Sequence, residues 1–219
     1  MSTDQWNHVV ESRDELRRKK RQALVEASAS LFNKNGYEKT SLDDVAKSLG
    51  ITKRTIYYYI QSKDQILMEI LGHSVVILDR IAHSVERERC SAGKKVELII
   101  DEYSRWMATD FGACLVLTRE NLLTDEVRLE LRSKKNRLDW LIRNAITEGI
   151  KTGEFRDSCD PRLTSAALFG ALNWLPFWNY GSSATSADEI SEHFKKVFIH
   201  GMMAETKAAT ASTQPMPGS

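Results

Sequence analysis

The stretch Gly50-Ile51-Thr52-Lys53-Arg54-Thr55-Ile56-Tyr57-Tyr58-Tyr59 joins two short predicted helices and decides how the chain is interpreted. The first helix follows Thr40-Ser41, where a hydroxyl can cap it, and Gly50 ends it because glycine readily adopts the positive φ of a tight turn. Thr52 begins the second helix, with Ile56 facing inward. This spacing is that of a helix-turn-helix motif, although an ordinary helical corner has the same local signals.

The side chains of the second helix favour DNA binding over an ordinary corner. Thr52, Lys53 and Arg54 place a hydroxyl and two cations in its first turn, where they suit base edges and phosphates. The three consecutive tyrosines at 57–59 point about 100° apart on a helix, so they cannot all be buried. Phenol hydroxyls that reach phosphate oxygens explain them. Lys63 opens the next helix, where its charge adds to free backbone N–H groups.

Charge is unevenly distributed along the chain. Residues 12–63 contain twelve Lys and Arg against six Asp and Glu, whereas the rest of the chain contains 19 against 24. A basic N-terminal quarter on an acidic body indicates that only this end meets a polyanion. Hydrophobic residues make up 42% and charged residues 28% of the 219, a globular composition that excludes a disordered chain.

No apolar run approaches the roughly 20 residues of a transmembrane helix, and the first 15 residues lack the apolar stretch of a secretion signal. We therefore expect a cytoplasmic protein, associated with the nucleoid when bound to DNA, and no membrane contact. The three cysteines, Cys90, Cys114 and Cys159, lie far apart and are odd in number, which predicts reduced structural thiols. We expect no metal and no cofactor.

Helical periodicity continues through the chain and no strand-like alternation persists, so the predicted fold class is all-α. Beyond a long helix that starts at Lys63, we expect helices at 94–108, 114–123, 124 to about 150, 160–176 and 186–204, with a loop at 181–184. The predicted domains are flexible residues 1–13, a helix-turn-helix domain at 14–62 with its motif at about 41–60, a larger helical domain at 63–205 for effector binding and dimerisation, and a disordered tail at 206–219.

Residues from Gly36-Tyr37 to Leu67, including the opening stretch and Ser62-Lys63-Asp64, resemble the TetR family of transcriptional regulators. The resemblance spans about a quarter of the chain and implies a three-helix DNA-binding domain followed by a helical domain that dimerises. Two residues depart from the family pattern. Ile60 stands where phenylalanine is usual, and Arg54 stands where glycine is frequent, so the operator sequence cannot be transferred from relatives.

The resemblance also implies the residues that contact DNA. Those expected in the major groove are Thr52, Lys53, Arg54 and Tyr57, with Thr55 beside them. Those expected on the phosphate backbone are Thr40, Tyr58, Tyr59 and Lys63. The basic run from Arg17 to Arg21 contacts phosphate or the adjacent minor groove, with Arg17 as its candidate contact, or it is simply a solvated helix start.

Residues 166–178 are almost wholly apolar, with Asn173 as the one hydrogen-bonding side chain besides two indoles. A helix that is apolar on all sides must be covered on all sides, which favours a homodimer with a two-fold four-helix interface. The predicted interface residues are Ala167, Gly170, Ala171, Trp174, Phe194, Phe198 and Gly201. Packing within one chain remains the alternative.

Aromatic and sulfur-containing side chains in the body are numerous enough to line an apolar ligand cavity. The predicted lining residues are Trp106, Phe111, Cys114, Trp140, Asn173 and Phe177, each of which is also a candidate for plain core. Asn173 is the best polar candidate because a buried amide needs partners, in the cavity or across the dimer interface. Candidate anchors for a ligand carboxylate or phosphate are Arg105, Arg119, Arg137 and Arg143.

Together these features predict a dimeric regulator that binds double-stranded DNA at a palindromic operator. We expect a repressor that is released by a small, largely apolar ligand, with or without a carboxylate or acyl-thioester group. One alternative is a DNA-binding regulator without a small-molecule effector. An all-α enzyme is a second alternative, but the sequence contains no catalytic or nucleotide-binding motif and its five histidines are scattered.

Overall fold

The structure is a computed structural model and describes residues 13–179 and 185–204. These residues form ten α-helices and one 3-10 turn, and their only β contact is an isolated bridge between Phe155 and Met203. The all-α fold class is therefore confirmed. The helices are α1 (Arg13–Asn35), α2 (Leu42–Ser48), α3 (Lys53–Tyr59), α4 (Lys63–Arg87), α5 (Ala92–Met107), α6 (Asp110–Leu117), α7 (Asp125–Thr152), α8 (Pro161–Asn173), α9 (Leu175–Trp178) and α10 (Ala187–Met202).

The long helix α4 connects the N-terminal helices with the body. It packs on α1, and it also packs on α5, α6 and α7 in the body. Its inner face is buried from Ile66 to Val85, with the spacing that the sequence predicts for a helix covered on one side. Around it, α8 packs on α5 and α7, and α10 packs on α5. Helix α4 is therefore in contact with both α1 at the N-terminus and the helices of the body.

Two helices differ from their predicted bounds by more than two residues. The sequence predicts a helix at 114–123, but α6 begins at Asp110 because the Thr109 hydroxyl oxygen caps it, accepting a hydrogen bond from the Gly112 N–H at 3.1 Å. This helix ends at Leu117. The predicted helix at 160–176 ends at Asn173, and α9 is a separate turn, since Pro176 has no N–H to continue the helical hydrogen bonds.

Several predictions fall wholly or partly outside the described residues. Residues 1–12 of the predicted flexible N-terminus, the predicted loop at 181–184 and the predicted tail at 206–219 lie there, whereas Arg13 already belongs to α1. The predicted domain boundaries stay predictions. Within 13–179 and 185–204, no helix combines the length and the apolar character that crossing a membrane requires.

Candidate DNA interface and ligand cavity

The predicted helix-turn-helix consists of α2 and α3, and local caps define both helix starts. The Ser41 hydroxyl oxygen accepts a hydrogen bond from the Asp44 N–H, while the Asp44 carboxylate accepts one from the Ser41 N–H. Gly50 has a φ of +64°, the left-handed conformation predicted for the turn. Thr52 caps α3 by accepting the N–H of Thr55 at 3.2 Å. The turn and the first residue of α3 are thus set by residues adjacent in sequence.

The first turn of α3 presents cations to solvent. Lys53 and Arg54 are both exposed, as is Thr52. The Lys53 ammonium lies 2.9 Å from a carboxylate oxygen of Asp43 on α2, and this hydrogen bond raises the pKa of Lys53. Arg54 makes no ion pair with any residue the structure describes and is open to a base edge or a phosphate.

The three consecutive tyrosines divide between exposed and packed positions. Ile56 and Ile60 are fully buried and hold the inner face of α3. Tyr57 and Tyr58 keep 47% and 65% of their surface exposed, whereas Tyr59 is half-buried with its ring 5.0 Å from that of Tyr58. As the sequence predicts, they are not all buried. Contact between their hydroxyls and phosphates stays a prediction.

Thr40 does not share the exposed surface, which corrects its predicted role. Its side chain is 2% exposed, and its hydroxyl donates to the carbonyl oxygens of Gly36 (2.9 Å) and Leu31 (3.3 Å). The single hydroxyl proton of Thr40 therefore already takes part in the hydrogen bonds that close the loop between α1 and α2. A phosphate contact by this hydroxyl therefore loses its physical basis. The inward direction of the side chain could not be predicted from the sequence, because it depends on the carbonyl oxygens of Leu31 and Gly36 at the end of α1.

Lys63 holds the same loop from the start of α4. Its ammonium donates to the Tyr37 carbonyl oxygen at 2.8 Å and lies 4.2 Å from the centre of the Tyr37 ring. The Tyr37 hydroxyl in turn donates to the Asp64 carboxylate. Because a lysine ammonium has three donors, Lys63 can keep these contacts and still reach a phosphate. The phosphate contact stays a prediction.

The basic run of α1 serves two different purposes. Arg17 is exposed, and its guanidinium lies 5.3 Å from the centre of the Tyr58 ring, on the side of α3 that is predicted to face DNA. Arg21 turns inward instead. It donates from Nε and Nη2 to the two carboxylate oxygens of Glu69, at 3.3 and 2.6 Å, and from Nη1 to the carbonyl oxygen of Tyr59. Arg21 therefore ties α1, the end of α3 and α4 together, and the prediction of a DNA contact there is corrected.

A cavity of about 230 Å³ lies between α5, α7 and α8, and we call it the aromatic cavity. Tyr103, Leu138, Phe169 and Asn173 are among its lining residues. The Tyr103 hydroxyl donates to Asn173 Oδ1 at 2.7 Å, and burial raises the pKa of Tyr103. The amide at Asn173 thus has a partner within its own chain, and it lines a cavity as predicted.

A second cavity of about 160 Å³ lies between α4, α6 and α7, and we call it the basic cavity. Arg128, Arg132 and Lys135 of α7 contribute to its wall, opposite Leu71 of α4. Lys135 and Asn136 line both cavities. The two cavities are therefore neighbours along α7, separated by these two side chains.

Two predicted lining residues face away from both cavities. Trp140 is 59% exposed, and Phe177 is 50% exposed and stacks on Trp174 with ring centres 4.4 Å apart. Neither belongs to the aromatic or the basic cavity. The abundance of aromatic residues predicted a cavity, but abundance does not tell which way a side chain points.

Three other predicted lining residues pack elsewhere in the molecule. Cys114 is buried against α1, with Sγ 3.1 Å from Asn33 Oδ1, and burial raises the pKa of its thiol to about 12. Trp106 is buried beside Tyr103 at a ring separation of 5.5 Å. Phe111 is half-buried with its ring 5.3 Å from that of His73. None of the three lines the two cavities.

The predicted arginine anchors are all engaged by carboxylates. The pairs are Arg105 with Asp188, Arg119 with Glu38, Arg137 with Asp79 and Glu86, and Arg143 with Asp139. Their charges are compensated within the chain, so they are poor anchors for a ligand. Sequence reasoning missed Arg132 and Lys135, the unpaired cations that line the basic cavity, because their position depends on how α4, α6 and α7 pack.

Comparison with known families covers both halves of the chain. Residues 24–70 match the family described as "Bacterial regulatory proteins, tetR family", and residues 90–202 match "Tetracyclin repressor-like, C-terminal domain". The chain belongs to the TetR family. The resemblance inferred from residues 36–67 is confirmed. This TetR-family chain combines an N-terminal helix-turn-helix DNA-binding domain with a helical ligand-binding domain, the architecture of transcriptional regulators.

Individual relatives of this TetR-family chain resemble it over most of their length. The fatty acid metabolism regulator protein of Bacillus subtilis (strain 168) is 26% identical over 162 residues, which cover 72% of this chain and 81% of that protein. The transcriptional repressor KstR2 of Mycolicibacterium smegmatis is 23% identical over 192 residues, covering 84% and 90%. The solved structure of AibR in complex with isovaleryl coenzyme A and operator DNA shares the fold, with 19% identity, 81% and 96% coverage and a TM-score of 0.66.

The single TetR-family chain leaves an apolar face open on α8 and α10. Ala167 and Gly170 are exposed, Trp174 is 59% exposed, and Gly201 is exposed on α10. A Cβ atom at Gly170 or Gly201 would meet no atom of the described residues within 4 Å. The other predicted interface residues, Ala171, Phe194 and Phe198, are half-buried. Packing among residues 13–179 and 185–204 does not cover this face, and the homodimer interface stays a prediction.

We expect Arg54→Ala to relax operator specificity at one position in each half-site. A bidentate contact from Arg54 to guanine carries about 1–3 kcal/mol of discrimination against the other bases. The measurement is selection from a randomised operator library, with Arg89→Ala, an exposed arginine beyond α4, as the control. An unchanged base preference in the Arg54 variant would show that this side chain faces phosphate or solvent.

Proposed function

We propose that this protein is a homodimeric repressor that binds a palindromic operator through α3 and is released by an acyl-thioester ligand with an apolar acyl chain. The observation that carries the proposal is a single helix, α4, that links the two sites. Its first residue, Lys63, holds the loop beside the helix-turn-helix, and its residue Leu71 lines the basic cavity. A ligand that changes the position of α4 in the body therefore also changes the position of the DNA-binding helices.

The DNA half of the proposal is supported by the exposed face of α3. Two cations and two tyrosine rings are available there, on a helix whose opposite face is fixed by Ile56 and Ile60. In a two-fold dimer, two such helices about 34 Å apart enter successive major grooves and read a palindrome.

The proposed release by a ligand is supported by the aromatic cavity and by the names of the relatives. The cavity combines the apolar side chains of Leu138, Ala166 and Phe169 with polar groups that include the hydrogen-bonded pair Tyr103–Asn173 and the Asp139 carboxylate, a mixture that ligand sites also show. One relative is named for fatty acid metabolism, and the AibR structure holds isovaleryl coenzyme A together with operator DNA. These names favour an acyl thioester among the apolar ligands that would fit this chain.

In this mechanism the ligand prefers the dimer in which the recognition helices are wrongly spaced for the operator. A ligand in the aromatic cavity displaces α7, which packs on α4, and the displacement reaches the N-terminal helices through the packing of α4 on α1. A preference of about 1.4 kcal/mol for the wrongly spaced form weakens operator binding about tenfold.

The test begins with operator selection from random DNA by the full-length protein, followed by fluorescence anisotropy with the selected duplex. We expect a palindromic site that is bound tightly without ligand and released by at least one acyl-coenzyme A thioester in a series from C4 to C16. Tight operator binding that no thioester changes, together with an unshifted melting temperature, would favour a regulator without a small-molecule effector.

A further inference from the structure

The cations of α7 fall into two groups according to their partners. Arg128, Lys134, Arg137 and Arg143 each form an ion pair with a carboxylate. The other three cations, Arg132, Lys135 and Lys151, are exposed and make no ion pair or side-chain hydrogen bond with any residue the structure describes. Of these three, Arg132 and Lys135 line the basic cavity, three residues apart and thus on one face of α7. Two uncompensated cations at a cavity wall indicate a place for an anionic group.

The surroundings of this pair balance only part of its charge. Among the described lining residues of the basic cavity, Glu120 is the one carboxylate, and it forms no ion pair with either cation, although its charge partly opposes the lowering of the Lys135 pKa. Arg128 adds a third positive charge, although Asp125 engages it at 2.7 Å. Lys135 is exposed by surface area, yet nearby protein removes enough water from its ammonium to lower its pKa, which an anionic partner would reverse.

The position of Lys135 and Asn136 joins this cationic wall to the aromatic cavity. Both residues line both cavities, so a molecule that crosses them has one end beside Phe169 and the other beside Arg132. At about 230 and 160 Å³, each cavity alone is smaller than a usual ligand site of roughly 300–1,000 Å³, whereas the two together reach that range. The amide of Asn136 offers both a donor and an acceptor to the polar middle of such a molecule.

We infer that the ligand is bipartite, with its acyl chain in the aromatic cavity and a phosphate group of its carrier held by Arg132 and Lys135 in the basic cavity. The inference rests on the proposed ligand-released repressor and adds the residues that recognise the anionic end. A phosphate fits better than a single carboxylate because two adjacent unpaired cations match a group with more than one negative charge.

In this placement the anionic end of the ligand, and not its acyl chain, acts on the helices that contact the DNA-binding domain. The basic cavity is lined by Leu71 of α4 and by Leu115 of α6, the two helices of the body that also pack on α1. In α6, the Cys114 thiol next to Leu115 lies 3.1 Å from Asn33 Oδ1 of α1. A phosphate bound to α7 therefore lies next to α4 and α6, the two body helices that pack on α1. The acyl chain lies farther along α7.

The experiment compares ligand binding by the full-length protein and three variants in isothermal titration calorimetry. The probes are hexanoyl-coenzyme A, coenzyme A alone and hexanoate, which separate the phosphate-bearing carrier from a free carboxylate. The variants are Arg132→Gln and Lys135→Gln, with Lys151→Gln, a cation in the last turn of the same helix that lines neither cavity, as the matched control.

We expect Arg132→Gln and Lys135→Gln each to weaken hexanoyl-coenzyme A binding about tenfold or more, since each removes a charge-assisted contact to phosphate. Lys151→Gln is expected to bind as the unaltered protein does. Without ligand, all three variants should bind the operator equally, and release from it should need about tenfold more thioester in the first two.

The outcomes separate this inference from the proposed function. Thioester binding and release that are the same in all variants would overturn the phosphate site but leave the thioester-released repressor intact. Binding of hexanoate that depends on Arg132 and Lys135, with no binding of either coenzyme A probe, would overturn the phosphate assignment in favour of a carboxylate. If neither hexanoyl-coenzyme A nor any longer thioester binds the unaltered protein, both the inference and the acyl-thioester function fall.

Discussion

Gly170→Glu is expected to convert the protein to a monomer and to reduce operator affinity by roughly 10²–10⁴-fold, the usual loss when two linked half-sites act alone. A Cβ atom at Gly170 would meet no atom within 4 Å in the part of the single chain that the structure describes, so these residues leave room for glutamate. Glutamate also favours the helix by about 0.5–1 kcal/mol over glycine. In the proposed dimer the same carboxylate lies in an apolar contact beside Trp174, where an unpaired charge costs several kcal/mol.

Sedimentation velocity at micromolar concentration measures the first effect, and fluorescence anisotropy with the selected operator measures the second. Gly72→Glu is the matched control, because Gly72 also lies within a helix and also has no neighbouring atom within 4 Å of a Cβ. It should remain dimeric and bind DNA. If Gly170→Glu remains dimeric and keeps its operator affinity, the subunits associate through another surface.

The helix-turn-helix was predictable because its signals are local. Ser41, Gly50 and Thr52 cap or turn the chain through contacts that reach no farther than a few residues, and the buried Ile56 follows from helical spacing. The inner face of α4 was predictable for the same reason. Where a local signal was overlooked, as with the Thr109 cap of α6, the predicted bounds were wrong although the signal was present in the sequence.

The ligand site could not be derived in the same way, because each wall comes from a different part of the chain. Trp140 and Asn136 are one helical turn apart on α7, yet Asn136 lines both cavities and Trp140 faces solvent. Residue type favoured the tryptophan, and only the packing of α8 and α5 against α7 decides between them. Arg132 and Lys135 were overlooked for a related reason, since an unpaired cation is recognised only when its neighbours are known.

Arg21→Met is expected to reduce operator affinity about tenfold or more and to destabilise the fold by about 1–3 kcal/mol, the range for hydrogen bonds that involve a charged group. Arg21 and Glu69 are each about one-third exposed, with side-chain exposures of 31% and 29%. The substitution leaves Glu69 unpaired and the Tyr59 carbonyl oxygen at the end of α3 without its donor. Without Arg21, α3 is no longer held by this side chain in its position relative to α4. We therefore expect operator affinity to fall although the substituted residue does not touch DNA.

Lysine is not expected to replace Arg21, because one ammonium cannot reproduce a planar fork that reaches two carboxylate oxygens and a backbone carbonyl at once. A double-mutant cycle with Glu69→Gln measures the coupling directly, and we expect about 0.5–3 kcal/mol between the two positions in thermal or denaturant unfolding. Arg18→Met is the control, since Arg18 is an exposed cation of the same basic run.

The salt dependence of operator binding distinguishes a positioning residue from a phosphate contact. Because Arg21 is engaged by Glu69 and Tyr59, its loss should lower affinity at every salt concentration without changing the slope of log K against log [salt]. A residue that neutralises a phosphate changes that slope by about 1 when it is removed. A slope reduced by about 1 in Arg21→Met, with an unchanged melting temperature, would return Arg21 to the DNA surface and leave α3 to be held by the packing of Ile56 and Ile60 alone.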